Sequence, residues 1–210
     1  VLGEKHQDYL TSLNNLALTE FELSLFDSAL YHKIYVTREF QTRMIEYFSI
    51  LTENQREFFL NEYSYLFRFS TLFVEKASLL NPESGCFVYD LSLFSKGLLL
   101  NTNIDFEKLI AEKGTSEAKA KFDEMKLRKL EIQRISEKPI SERFLNLDSL
   151  INIVQQKETE LIKLSKEYGD YTRNLKITWK DVQENLNDND VAIEFVEYPT
   201  LSDTIKYAAL

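Results

Sequence analysis

A mainly α chain with a small β element at its carboxyl end is what this sequence predicts. Three observations carry that fold class. Apolar residues recur at helical spacing from Leu10 to Tyr168. Gly and Pro number only 5 and 3 in 210 residues, which suits a helical chain poorly supplied with tight turns. The period then changes at Val191-Ala192-Ile193-Glu194-Phe195-Val196, apolar on both faces apart from Glu194, and that run reads as a strand.

The first element is a helical hairpin. Leu10, Leu13, Leu16, Ala17 and Phe21 follow one helix face, and a second helix starts near Phe26 with Ala29, Leu30, Ile34 and Val36 inward. The small residues Ala17 and Ala29 let the two helices approach closely. The second helix runs on through Phe40, Met44, Ile45 and Phe48. Thr52-Glu53-Asn54-Gln55 has the shape of a capping box, so a new helix starts there. The stretch after it carries Phe58, Phe59, Leu60, Tyr63, Leu66, Phe67, Phe69 and Phe73, apolar on nearly all sides, which predicts a buried helix. At this spacing the aromatic run is core packing rather than a ligand groove. Asn81-Pro82-Glu83-Ser84-Gly85 reads as a loop, and a helix with Leu91, Phe94, Leu98 and Leu99 follows.

Beyond Asn101 the composition shifts toward charge. A short helix is expected over Asp105 to Glu112, ending near Gly114. Ser116 to Ile135 reads as a long amphipathic helix, with Ala118, Phe122, Met125 and Ile132 as its stripe and Leu127 and Leu130 widening it. Glu137-Lys138-Pro139 reverses the chain. In the next helix, Ser141 to Tyr168, the residues Leu147, Val154, Leu161 and Tyr168 repeat every seven positions. Two such helices around a short turn predict a long antiparallel helical hairpin, which Gly169 ends. Thr178-Trp179-Lys180-Asp181 then caps a short helix. Asn187 to Asp190 is a turn, and Thr204 to Leu210 is a second strand. Two strands do not make a stable sheet alone, so this sheet is expected to continue or to pair with something else.

Composition limits the function classes. The chain is globular, at 44% hydrophobic and 28% charged residues, and its net charge of −9 argues against a phosphate-backbone partner such as nucleic acid. No apolar run approaches the length of a membrane span. A single cysteine, Cys86, forbids an internal disulfide and fits a reducing cytoplasm. Cysteine catalysis needs a histidine within reach of the thiolate. The chain offers only His6, in the opening linker, and His32, on a helix with no carboxylate or cysteine at motif spacing, and Cys86 falls in the loop before the Leu91 helix. No catalytic set, metal-ligand spacing, calcium loop or glycine-rich phosphate loop is present, so no catalytic residue, metal or cofactor is assigned.

The opening run Val1 to Leu18, with Leu-Gly-Glu-Lys-His-Gln-Asp-Tyr from Leu2 to Tyr9, resembles the linker and first helix of a tetratricopeptide repeat, with Gln7 in place of the usual proline. The likeness then degrades. The turn glycine is replaced around Ser24 and Leu25, and Lys33 and Val36 occupy aromatic and alanine positions of the second helix. Two further blocks follow in order: Leu93-Phe94-Ser95-Lys96-Gly97-Leu98-Leu99-Leu100, and Thr178-Trp179-Lys180-Asp181-Val182-Gln183 with Ala192-Ile193-Glu194-Phe195-Val196. Together these resemble bacterial proteins in which tetratricopeptide repeats precede a CHAT domain, a caspase-like cysteine peptidase fold. The resemblance implies three segments: a degenerate repeat hairpin over 1–50, a helical linker region over 51–176 with the long hairpin at about 115–169, and the start of a CHAT-like α/β domain over 177–210. The family's His-Cys dyad has no counterpart here.

The function implied is a scaffold that couples partner binding at the repeat to a peptidase domain incomplete in this chain. A self-associating helical module and a cysteine peptidase in its own right are the alternatives. By the same resemblance Thr11, Asn14, Leu18 and Phe21 line the concave face that receives a protein or peptide partner. The strand Ile205 to Leu210 offers an edge for self-association.

Overall fold

In a computed structural model, residues 6–77, 82–98, 100–139, 141, 146–202 and 204–210 are described. Among them the chain is mainly helical, with one small antiparallel sheet at the carboxyl end. The helices are α1 (Gln7–Glu22), α2 (Phe26–Phe48), α3 (Glu53–Tyr63), α4 (Ser70–Lys76), α5 (Pro82–Gly97), α6 (Leu100–Lys113), α7 (Ser116–Ser136), α8 (Leu147–Ser165) and α9 (Trp179–Glu184). The strands are β1 (Phe195–Pro199) and β2 (Ile205–Ala209). No helix of the described residues is long and apolar enough to cross a membrane.

The chain forms two compact units. One takes the chain up to Ile45, then Phe59–Leu98 and Leu175–Leu210; the other takes Glu46–Phe58 and Leu99–Asn174. Both are discontinuous in sequence and cut across the successive segments 1–50, 51–176 and 177–210.

In the first unit, Ala17 of α1 and Ala29 of α2 are both fully buried in one cluster. His6 caps α1, its Nδ1 accepting from the Asp8 N–H at 3.2 Å. Ser24 turns the chain between the helices with φ 62°, the left-handed region where a glycine would be unstrained. The core of this hairpin is shared with α4 and β1: Ala17, Phe21, Ala29, Leu30, Leu72, Phe73 and Tyr198 form one buried cluster.

The aromatic stretch is not one buried helix. α3 ends at Tyr63, a single 3-10 turn spans Ser64–Leu66, and Phe69 at φ 69° redirects the chain into α4. The break spreads the aromatic side chains over different surroundings. Phe73 is fully buried, whereas Phe58 is largely exposed. The expected loop at 81–85 is also corrected. Pro82 opens α5, where its fixed φ and missing N–H suit a first helical turn. Cys86 is therefore a helical residue. Asn81 and Leu99 lie outside the described residues.

The second unit is built on α7 and α8. Thr115 caps α7 through the Ala118 N–H, and Asn146 caps α8 through the Ser149 N–H. Ala118, Phe122 and Met125 of α7 pack with Val154, Leu161 and Ile162 of α8, with Phe106 and Ile110 of α6, and with Tyr171. Leu127 and Leu130 do not widen the stripe, because both are exposed. α8 starts at Leu147 rather than Ser141; residues 142–145 lie outside the described residues. Gly114 ends α6 where any side chain would collide, since a Cβ there would sit 2.4 Å from the Ile110 carbonyl oxygen. Gly169 follows α8 at φ 147°.

The unit also holds a buried ionic network. Arg56 donates to the Leu51 carbonyl at 2.8 Å and to Asn103 Oδ1 at 2.6 Å, with Glu158 3.6 Å away. Glu158 accepts the Glu53 N–H at 2.8 Å and lies 3.7 Å from Lys129. Hydrogen bonds from both terminal nitrogens of Arg56 and to Glu158 offset the cost of burying the pair, although Arg56 Nε is left without a hydrogen-bond partner. The Thr52 box closes on one side only. Its N–H donates to Gln55 Oε1 at 2.9 Å, and the Thr52 hydroxyl is buried without a hydrogen-bond partner.

Candidate functional site

The sequence points to α1 first. Thr11 lies 3.4 Å from the Tyr65 hydroxyl, a bond between side chains at the surface. Asn14 is buried, not solvated, and accepts from Lys33 Nζ at 2.9 Å. Leu18 is half-buried against the hairpin core. Phe21 is buried, stacked on Phe73 of α4 with ring centroids 4.5 Å apart, and meets Phe26 edge-on at 5.3 Å. Of the four residues expected on the groove face, Asn14 and Phe21 are thus buried. The chain's own segment from Leu66 to Phe73 covers them.

Lys33 explains that covering. The residue is only 1% exposed, and its amine donates to Asn14 Oδ1 and to the Leu66 carbonyl at 3.0 Å and stands 5.6 Å from the centre of the Phe73 ring. Burial lowers its pKa to about 7 from the ordinary value near 10.5. A lysine among α2's inward positions, paired with a mid-helix Asn14, was the available sequence signal, because a buried cation requires a polar partner.

His32 also has a partner that spacing did not reveal. Its Nδ1 lies 2.7 Å from Glu20 Oε2 across the hairpin, and Glu20 accepts the Ser28 hydroxyl at 2.7 Å. Burial alone would raise the Glu20 carboxyl. The hydrogen bonds from Ser28 and His32 outweigh it and hold the carboxyl below its ordinary range. Cys86 is half-buried on α5 and lines a cleft of about 430 Å³ with Tyr89, Trp179, Val182, Leu186 and Leu210. Neither histidine lines it. Among the described residues no cluster of three or more His, Cys, Asp and Glu could hold a metal ion.

The carboxyl-terminal sheet is the best-built surface of this unit. Both halves of the Thr178–Asp181 capping box form, and Asp90 of α5 accepts the Trp179 N–H at 2.5 Å, fixing the start of α9. Burial raises the Asp90 carboxyl, partly countered by that hydrogen bond. Val191–Val196 is only partly strand, since β1 begins at Phe195 and continues to Pro199. It pairs antiparallel with β2, Phe195 opposite Ala209 and Pro199 opposite Ile205. Glu194 and Leu210 exchange both backbone hydrogen bonds, at 3.1 and 2.9 Å, just beyond the strands. The Glu194 side chain accepts the Ser92 hydroxyl at 2.8 Å and pairs with Lys96. Tyr198 donates to Glu75 at 3.1 Å and Lys206 to the same carboxylate at 2.7 Å, so one acid of α4 holds both strands. The Lys206 hydrogen bond is the main reason the Glu75 carboxyl sits below its ordinary range.

Period-two alternation divides the sheet. Val196 and Tyr198 face the core with Ala208, whereas Phe195 and Tyr207, 70% and 76% exposed, face outward with Ile205. Val191 and Ile193 are exposed as well. The outward side thus carries several large exposed apolar groups.

No family model, curated protein or solved structure matches this chain.

Proposed function

We propose that this chain is a scaffold segment that couples a repeat-like helical hairpin to an α/β domain whose sheet begins with β1 and β2. The observation that supports it most is the shared core. Tyr198 of β1 sits in one buried cluster with Ala17 and Phe21 of α1 and Ala29 and Leu30 of α2. A protein partner that shifts the hairpin therefore acts on the strand directly, through packed side chains, and interiors at native density transmit such displacements. The outward apolar face of the sheet supports the second half of the reading, because Phe195, Tyr207 and Ile205 are the groups a further layer of an α/β domain would cover.

In this reading the segment contributes no catalytic group. It binds through the exposed part of the hairpin and restrains or releases a caspase-like peptidase domain. The resemblance to repeat-containing CHAT proteins supplies the identity of that domain. The coding DNA beyond the Leu210 codon tests it. The expected result is an open frame with successive apolar strands, one followed by a histidine and a later one by a cysteine. A stop codon at that point would overturn the peptidase-coupled reading.

A further inference from the structure

The hydrogen-bond parity of the sheet leaves one edge of β1 open. Glu194 and Leu210 form a hydrogen-bonded pair, and the Thr200 N–H donates to the Thr204 carbonyl at 2.8 Å. In an antiparallel ladder such pairs alternate, so the even-numbered residues of β1 bond to β2. Phe195, Glu197 and Pro199 then turn their backbone groups away from β2. Lys96 Nζ takes the Phe195 carbonyl at 3.0 Å. Among the described residues nothing pairs the backbone N–H or C=O of Glu197.

That edge opens onto a groove of about 560 Å³. All five residues of β1 line it and none of β2 does, so it runs along the free edge. Phe69, Val88 and Leu91 are among its apolar lining, and Arg68, Ser95 and Lys96 among its polar lining. The lining thus carries two cations, Arg68 and Lys96, and one carboxylate, Glu197. The side chain of Glu194 is the counter-ion of Lys96, and Lys96 remains 59% exposed.

We propose that this groove binds an extended peptide, which adds to the sheet as a third strand along β1. The unpaired backbone groups of Glu197 supply main-chain hydrogen bonds, the mode by which sheet edges capture peptides. The lining selects the side chains. Inward positions of the added strand are apolar, against Phe69 and Leu91, and the position opposite Phe195 is acidic, facing Lys96. Pro199, which lacks an N–H, limits the register at the far end of the edge. This inference does not rest on the peptidase-coupled reading, and either stands without the other.

The test uses the whole chain and a short fluorescein-labelled peptide alternating Val and Glu, with binding read by fluorescence anisotropy. Glu197→Pro removes the edge N–H and leaves the β1–β2 ladder intact, because that N–H points away from β2. Glu197→Ala keeps the backbone and removes only the side chain. The expected result is saturable binding to the wild type and to Glu197→Ala, weakened by about tenfold in Glu197→Pro, the loss that one such hydrogen bond entails. An unchanged circular dichroism spectrum shows that the variant folds. Equal affinity in Glu197→Pro, or no saturable binding to the wild type, would overturn the proposal. So would concentration-dependent self-association by light scattering that Glu197→Pro abolishes, since a second copy would then be the occupant.

Discussion

Lys33 carries the strongest electrostatic statement in the molecule. An amine with pKa about 7 in the folded chain and near 10.5 when unfolded makes folding favour its neutral form. Between these values the unfolded chain binds more protons, so stability rises with pH across that window. Below pH 7 both states are protonated and the burial cost is fully present; above 10.5 the cost is gone. One proton's difference gives a slope of at most about 1.4 kcal/mol per pH unit. Denaturant unfolding of the first unit between pH 7.5 and 9.5, to be carried out as a titration at roughly half-unit steps, should show this rise in the wild type. Lys33→Met should flatten it. The window lies below the ionisation of the buried Tyr171, which burial pushes up to about 12. A rise that persists in Lys33→Met would assign it to another group.

At the scale of elements, the turn between α1 and α2 is strained at Ser24. Ser24 adopts φ 62°, exposed and in the left-handed region. A non-glycine residue there costs about 1 kcal/mol, although glycine returns part of that gain through the entropy of the unfolded chain. Ser24→Gly should therefore raise the Tm by roughly 2 °C, as read by calorimetry. A lowered Tm would mean that the serine side chain stabilises the turn by a contact the geometry does not contain.

Helical periodicity made most elements legible. α2 and α7 fall within a residue or two of expectation, because each carries a regular apolar stripe. The aromatic run misled for a definite reason. Nothing in its composition marks the left-handed Phe69, and the break there is imposed by packing on the hairpin core. On sequence alone Pro82 reads as a loop breaker, because proline both interrupts helices and starts them, and only the chain path separates the two roles. The strand signal at Val191–Val196 was right in kind and displaced along the chain, since alternation locates a strand without fixing its pairing partner.

For the molecule as a whole, the sequence suggested consecutive segments, whereas the compact units interleave distant parts of the chain. No local pattern encodes that interleaving. Tyr198 and Ala17 share a core although they lie at opposite ends of the chain, and neither position announces the other. The candidate site was less legible than the fold for the same reason. The face of α1 was identifiable, but not the return of Leu66 to Phe73 over it. The ion pairs of Arg56 with Glu158, and of Glu75 with Lys206, likewise join residues far apart in sequence.

The central claim is that the hairpin and the sheet respond as one body. Amide hydrogen exchange on the wild type and on Phe21→Ala tests it most directly. Removing that ring leaves a cavity against Phe73 in the cluster that includes Tyr198, at a cost of about 3–5 kcal/mol. The account predicts faster exchange at Val196, Tyr198 and Ala208, whose N–H groups lie in the β1–β2 ladder, with α8 of the other unit unchanged. Loss of protection confined to α1 and α2, with the sheet as protected as before, would contradict the coupling.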